Sequence, residues 1–443
     1  MHDPPRFHES CRRIQPPRGG LRLGAQPRAA RYSRTRHGGG RVTRASHDDD
    51  RRPSVAVAHL AHFGHADIYA GGESVAVHTL GALQGTCNLT FVTDLVVSDD
   101  PAAWCERANA FFDTDLDPDQ ITFHALPMRP YRFARIPKIR GIERTIQRQR
   151  NHVRLRNGPL RPDVWVSTRS EFAVQGNGPV LQYVHFPARH FGLSHHVERV
   201  GQLLTNASLL LARQHRTYAN SEWTANYCRE LGFTDVHVMY PPVTTPETVT
   251  PWEERRNDLV TLGRVALDKR LELAIDVGAE LIRRGVIEHH HLIGPLENES
   301  YARELRDKIQ SVGMEGRIAL RGPMPRDDLK AFLQTVRYGI HAMKDEHFGI
   351  APAEMLAAGC LPLVHDSGGQ VEVVNREPAL IFQTVDEATR KLDRLVTDPE
   401  HAKEVLRRMD RVRTRFSVAT FIDTMRREVN AALARTGAPS LVT

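Results

Sequence analysis

Two carboxylates eight residues apart, Glu346 and Glu354, are the groups of this 443-residue chain best spaced to do chemistry. They lie in Asp345-Glu346-His347-Phe348-Gly349-Ile350-Ala351-Pro352-Ala353-Glu354-Met355-Leu356-Ala357-Ala358-Gly359, which reads as a loop running into a helix. Pro352 suits a first helical turn, where its missing N–H would be unpaired anyway, and Gly359 suits the stop. Free N–H groups at such a junction, with the positive end of the helix dipole, offer a place for phosphate. Carboxylates on either side accept hydrogen bonds from hydroxyls. Together these groups fit a sugar nucleotide. A second candidate set is Gly263-Arg264-Val265-Ala266-Leu267-Asp268-Lys269, directly after an apolar strand-like run. Ligands of parallel sheets bind at the carboxyl ends of strands, so Arg264 and Lys269 face a cleft and suit a diphosphate. A third, Gln182-Tyr183-Val184-His185-Phe186-Pro187, puts His185 at the end of another strand.

The first segment resembles the glutamate-x7-glutamate signature of the retaining glycosyltransferases of family 4, which have the two-domain GT-B fold. The resemblance implies that Glu346 lies by the transferred hexose, that Glu354 holds the ribose hydroxyls, and that the embedded Phe348-Gly349-Ile350 lines the donor. Arg264 and Lys269 match the family's Arg-x4-Lys, which clamps the donor diphosphate. Leu267 stands where many members have Pro, a departure that bears on loop rigidity and not on the cations. Tyr183-Val184-His185-Phe186-Pro187, Asn220-Ser221-Glu222-Trp223-Thr224 and Tyr240-Pro241-Pro242-Val243 resemble stretches of the mannosyltransferases that extend lipid-linked oligosaccharide for N-glycosylation. The resemblance implies that His185 approaches the donor sugar from the opposite domain. It also implies that Gly72, within Gly71-Gly72-Glu73, lets backbone approach phosphate. The resemblance further implies retention by attack from the leaving-group face; no candidate carboxylate has a clear claim to be a covalent nucleophile.

The elements needed to hold these groups are legible as an α/β pattern. Apolar, β-branched runs at residues 55–60, 89–93, 121–124, 164–167, 180–185, 217–219 and 236–239 read as buried parallel strands with helices between several of them. Residues 240–251 carry four prolines and read as a linker. A second series follows at 259–262, 290–293, 318–320, 338–341 and 361–364, and a last helix at about 419–435 has no strand after it. The expected architecture is two Rossmann-like, doubly wound domains facing across a cleft. Residues 54–240 would form the acceptor side, 241–417 the nucleotide-sugar side, and 418–443 a helix crossing back, as the resemblance implies.

Charge is unevenly spread. Residues 1–53 hold 13 Arg against 5 Asp or Glu, so the net charge of +7 belongs to this Arg-, Gly- and Pro-rich stretch, and the rest of the chain is close to neutral. A segment so poor in apolar residues reads as disordered, and it lacks the apolar core of a secretory signal. It could be a nucleic-acid or membrane tether, an organelle-type leader, or an upstream stretch outside the native protein; the last is favoured because the fold pattern starts at Ser54. No apolar run is long enough to span a bilayer. Five scattered cysteines without a Cys-x-x-Cys pair suit a reducing cytosol.

Within the near-neutral body, residues 129–156 hold ten Arg or Lys with Glu143 as the one acid, interleaved with Tyr131, Phe133, Ile136, Ile139 and Ile142. That surface suits anionic lipid heads or a polyprenyl-phosphate carrier, and it suits a solvated helix in an Arg-rich protein. The acidic alternation Asp113, Asp115, Asp117, Asp119 has Pro118 where a calcium loop needs Gly, so it reads as solvated. His289, His290 and His291 cannot share one face of a strand. No metal and no cofactor beyond the GDP- or UDP-linked sugar are expected. The expected activity is hexose transfer, with mannose favoured, to a lipid-linked or membrane glycan, by a cytoplasmic enzyme that can sit peripherally on the membrane. A synthase with a soluble sugar acceptor is the alternative within the fold. A basic nucleic-acid-binding protein is the alternative outside it, and it leaves both glutamates and the Arg264–Lys269 spacing unexplained.

Overall fold

Two all-parallel sheets carry the molecule. The computed structural model describes residues 52–60, 71–93, 100–126, 137–169, 172, 178–187 and 212–442. The leader up to residue 51, residues 127–136 of the basic stretch and the apolar segment near residue 203 lie outside the described residues.

The first sheet runs in the order β3-β2-β1-β4-β5-β6-β7. Its strands are β1 (Ser54–His59), β2 (Asn88–Thr93), β3 (Ile121–Ala125), β4 (Val164–Ser167), β5 (Val180–Val184), β6 (Arg216–Ala219) and β7 (Val236–Val238). The second runs β10-β9-β8-β11-β12-β13, with β8 (Arg256–Leu262), β9 (His290–Ile293), β10 (Ile318–Gly322), β11 (Val336–His341), β12 (Leu361–His365) and β13 (Ile381–Phe382). Central strands such as β4, β5, β9 and β12 are buried along their whole length, which is why they read as unbroken apolar runs. In both sheets the order reverses beside the first strand, and the crevice at that point is where doubly wound folds bind ligands.

Each sheet has its own apolar core. The final helix, Val418–Thr436, belongs to the first one: Phe421, Met425, Val429 and Leu433 pack with Val55, Leu80 and Tyr183. Tyr218 Oη donates to Glu428 on that helix, and Arg216 pairs with the same carboxylate at 3.2 Å. From Asp50 onward the chain forms one compact unit. Among the described residues no helix is long and apolar enough to cross a membrane.

Candidate functional site

Glu346 stands just past the end of β11, and the chain bends sharply to put it there. Asp345 takes a left-handed backbone, φ 56°, which a non-glycine residue adopts only when its surroundings hold it, and its N–H donates to Ser367 Oγ at 2.8 Å. Gly369 N donates to Glu346 O at 2.7 Å. A Cβ at Gly368 would land on the Glu346 backbone, so only glycine lets the two turns pack. Gly349, φ 101°, then caps helix Ile350–Ala357.

The Glu346 carboxylate is 16% exposed and takes three donors. Lys269 Nζ reaches Oε2 at 2.8 Å, His341 Nε2 reaches the same oxygen at 3.2 Å, and the His347 N–H reaches Oε1 at 3.1 Å. Burial alone would raise the carboxyl's pKa, but the His341 hydrogen bond and the Lys269 ammonium outweigh it and hold the group well below the usual carboxylate range. His341 is itself pushed down by burial. It is therefore a neutral imidazole donating its Nε2–H, and the standing positive partner is Lys269.

Lys269 and Arg264 part company. The one-turn helix Leu267–Lys269 rotates Lys269 inward, where it also meets Met343 Sδ at 3.0 Å. Arg264 stays at the rim, 46% exposed, paired to Glu297 and, at 3.7 Å, to Asp268. Leu267, in the place where Pro was noted as common, is 65% exposed.

Glu354 lies one turn into its helix, 15% exposed, in an ion pair of 2.5 Å with Arg326. Both border a shallow, open cleft lined also by Thr244, Pro246, Leu329 and Lys330. Phe348 differs from the expectation that it lines the donor: its ring is 2% exposed and packs on Tyr240 and Phe416, leaving only its backbone near the site. Ile350 likewise packs against the second core.

Across from Glu346, His185 follows β5, and its Nε2 lies 3.1 Å from the Thr168 carbonyl. Burial and the nearby Arg169 guanidinium push its pKa down to about 3, so the ring is neutral and donates to that carbonyl. Gly72 is in the first turn of helix Gly71–Leu83. A Cβ there would meet Arg169 Nη1 at 3.4 Å and His185 Nε2 at 3.7 Å, ordinary contacts, so internal packing does not demand this glycine. Glu73 next to it pairs with Arg169 at 2.6 Å; burial opposes ionisation, yet the His59 hydrogen bond and Arg169 hold its pKa down to about 2.

Several site groups are not legible in the motifs. His341 and Arg326 carry no local pattern, and their roles depend on strand order and helix placement. The acidic alternation turns out to contain one cross-domain contact, Asp113 to Lys330 at 3.1 Å, with Asp117 capping a short helix. His289 and His291 share a face with buried Asp258, while His290 points the other way onto Thr261. Asp258, Glu288 and His289 bring possible ligand atoms within 4.8 Å of one another, but Asp258 already pairs with Arg256 at 3.2 Å and His291 at 3.1 Å.

A two-sheet α/β molecule with paired carboxylates and a lysine at the carboxyl ends of its second sheet has the GT-B glycosyltransferase architecture. Solved structures agree on the fold. An Anabaena HepE structure in complex with UDP superposes with a TM-score of 0.60 at 13% identity, covering 85% of this chain and 100% of that one. Sucrose-phosphate synthase from Thermosynechococcus elongatus gives 0.62 at 14% identity, covering 86% and 99%. Residues 246–410, most of the second domain, match the family model described as Glycosyl transferases group 1. The chain is 29% identical over 245 residues to a GDP-Man:Man(3)GlcNAc(2)-PP-Dol alpha-1,2-mannosyltransferase of Candida glabrata, covering 47% of this chain and 48% of that one. With the Homo sapiens protein of the same name it is 30% identical over 165 residues, 34% of each. The chain thus spans about half or less of the length of these curated relatives.

Proposed function

We propose that this protein is a retaining glycosyltransferase that moves mannose from GDP-mannose to a lipid-linked glycan. The observation that carries this reading is the Glu346–Lys269 pair, a half-buried carboxylate and ammonium 2.8 Å apart at the crevice, with Glu354 eight residues on beside an open cleft. GDP, mannose and the lipid-linked acceptor are taken from what the relatives are named for; the residue roles are argued from this chain.

Residues 241–417 take the donor. Glu354 receives the ribose hydroxyls, and the free N–H groups opening helix Ile350–Ala357, with the backbone of Phe348, Gly349 and Ile350, receive phosphate oxygens. Lys269, and Arg264 swung from its rim partners, stabilise the diphosphate as charge builds on it. Glu346 stays ionised at any working pH and accepts from hexose hydroxyls. The bond between the anomeric carbon and the phosphate oxygen breaks, its electrons staying on the diphosphate. The acceptor oxygen joins the same face of that carbon and passes its proton to the departing phosphate oxygen. Residues 54–240 form the acceptor side, where Gly72 leaves room for phosphate and neutral His185 meets the sugar. The helix within 418–443 braces that side.

The acceptor would reach the site from an anionic membrane surface, to which residues 129–156 attach. Helix Pro137–Asn157 turns Arg150, Arg154 and the apolar Ile146 to solvent while Asn151, His152 and Leu155 are buried, which suits peripheral contact on the cytoplasmic face.

The test is a thermal-shift comparison of GDP, UDP and ADP, followed by transfer from GDP-mannose to a lipid-linked oligosaccharide. GDP should raise the melting temperature most, because a ligand of the folded state must stabilise it. Glu346→Gln should keep or enlarge that shift, because Lys269 is freed for the diphosphate, and lose turnover. No shift with any nucleotide, or full turnover in Glu346→Gln, would overturn the reading.

A further inference from the structure

Glu346 and His185 are on different domains, yet one short segment touches the backbone of both. Asn220 Nδ2 donates to the His185 carbonyl at 3.0 Å. The next residue, Ser221, donates its hydroxyl to the carbonyl of His347, which follows Glu346, and Thr224 Oγ1 reaches the same carbonyl at 3.4 Å. The start of helix Glu222–Glu230 is then capped from the other domain: Glu222 N and Trp223 N donate to the two oxygens of Glu372 at 2.9 and 3.0 Å, and Tyr240 Oη adds a third bond at 3.1 Å.

Rings complete the junction. His347 stacks on Phe186 with centroids 4.1 Å apart and planes 7° from parallel, and Trp223 lies 5.8 Å from His347 at 15°. Phe186 in turn stacks on Tyr227 at 5.0 Å and 12°. Phe186 and His185 are adjacent in sequence, as are His347 and Glu346. The packing is also close: a Cβ on Gly369 would meet Ser221 Cβ at 2.7 Å. A helix-start motif on an ordinary surface needs none of this.

We propose that residues 220–224 together with Phe186 are positioning residues: they hold His185 and Glu346 in one frame across the domain junction, so that the junction's geometry sets how the carboxylate meets the sugar. The proposal rests on the roles given above to Glu346 and His185. It adds that turnover depends on a contact that touches neither substrate. Binding of the nucleotide, which falls to Glu354, Lys269 and the helix start, does not depend on that contact. Reacting groups displaced by about 1 Å cost on the order of a hundredfold in rate, whereas binding groups left in place keep their affinity.

The experiment is steady-state transfer from GDP-mannose by the full chain carrying Phe186→Leu, Phe186→Tyr or Ser221→Ala, with the GDP-induced thermal shift of each. Phe186→Leu and Ser221→Ala should lower kcat about tenfold to a hundredfold with donor KM and the GDP shift unchanged. Phe186→Tyr, which keeps the stack, should restore most of kcat. A structural role alone would not separate kcat from GDP binding in this way. Ser221 also caps its helix through the Thr224 N–H, so Ser221→Ala can lose stability for that reason. Phe186→Leu removes no hydrogen-bonding group and carries the test if Ser221→Ala does not fold. Wild-type kcat in Phe186→Leu, or a loss that falls equally on GDP binding, would overturn the proposal alone. A wild type with neither GDP shift nor turnover would overturn the donor reading and this proposal with it.

Discussion

Replacing Glu354 by Gln isolates the part of the site assigned to the nucleotide. The substitution keeps shape and removes the charge that faces Arg326 at 2.5 Å and borders the open cleft. A hydrogen bond to a charged acceptor contributes about 1.5–3 kcal/mol, so losing the carboxylate from the ribose hydroxyls should weaken GDP by about tenfold to a hundredfold. With GDP at about 100 times the wild-type Kd, ligand binding stabilises the fold by about 2.7 kcal/mol. The same concentration is then only about ten times to about equal to the variant's Kd, leaving about 1.4 to 0.4 kcal/mol. Calorimetry gives the Kd directly, and the melting shift should shrink to half or less. Arg326 loses its partner in the variant, but it is a cation beside an anionic ligand, so any compensation would act against the expected loss. A GDP affinity within twofold of wild type would refute the placement of the ribose at Glu354.

Other consequences can be measured without substrate. His185 and His290 are pushed down to about 3 and His215 to about 4 by burial, so each binds fewer protons folded than unfolded between those values and about 6.5. Stability should therefore fall as pH drops from 6.5 toward 4, and His290→Asn should flatten the urea-measured slope by up to about 1.4 kcal/mol per pH unit; an unchanged slope would contradict a neutral buried His290. Gly278→Ala would drive a methyl into the His290 ring and should cost about 1–3 kcal/mol in denaturant unfolding, with a neutral result showing that the ring can move aside. Arg150→Glu with Arg154→Glu should reduce flotation with anionic liposomes and leave GDP binding alone; unchanged flotation would remove this helix from the membrane reading.

Most of the framework was legible because buried parallel strands leave unbroken apolar runs. The run expected at residues 164–167 is β4, that at 290–293 is β9, and the last helix starts one residue before its expected position. β13, only Ile381–Phe382, is too short to show a period and was not anticipated. The placement of the candidate residues was legible for a different reason: Glu346 and Lys269 follow strand ends, and Glu354 lies one turn into the helix that Gly349 opens, all of which are local features. What stayed hidden depends on packing between distant segments. Nothing near His341 says that its ring will reach Glu346. Nothing near Phe348 says that its ring will join Tyr240 and Phe416 instead of facing the cleft.

Lys269 shows why the two kinds of information are needed together. On sequence spacing it was paired with Arg264, yet in the fold it shares a carboxylate with His341 while Arg264 lies at the rim against Glu297. On the proposed reading, a cation already 2.8 Å from Glu346 would bring the diphosphate and the sugar hydroxyls to adjacent positions when it exchanges or shares partners. Neutral His341 then matters, because a protonated ring would hold the carboxylate more tightly and compete with the sugar. Burial at the end of β11 pushes that histidine's pKa down, which leaves Lys269 as the permanent positive partner of Glu346, the one that a diphosphate bound as proposed would draw away. In the proposed mechanism, donor binding and release of the carboxylate would in that way be the same event.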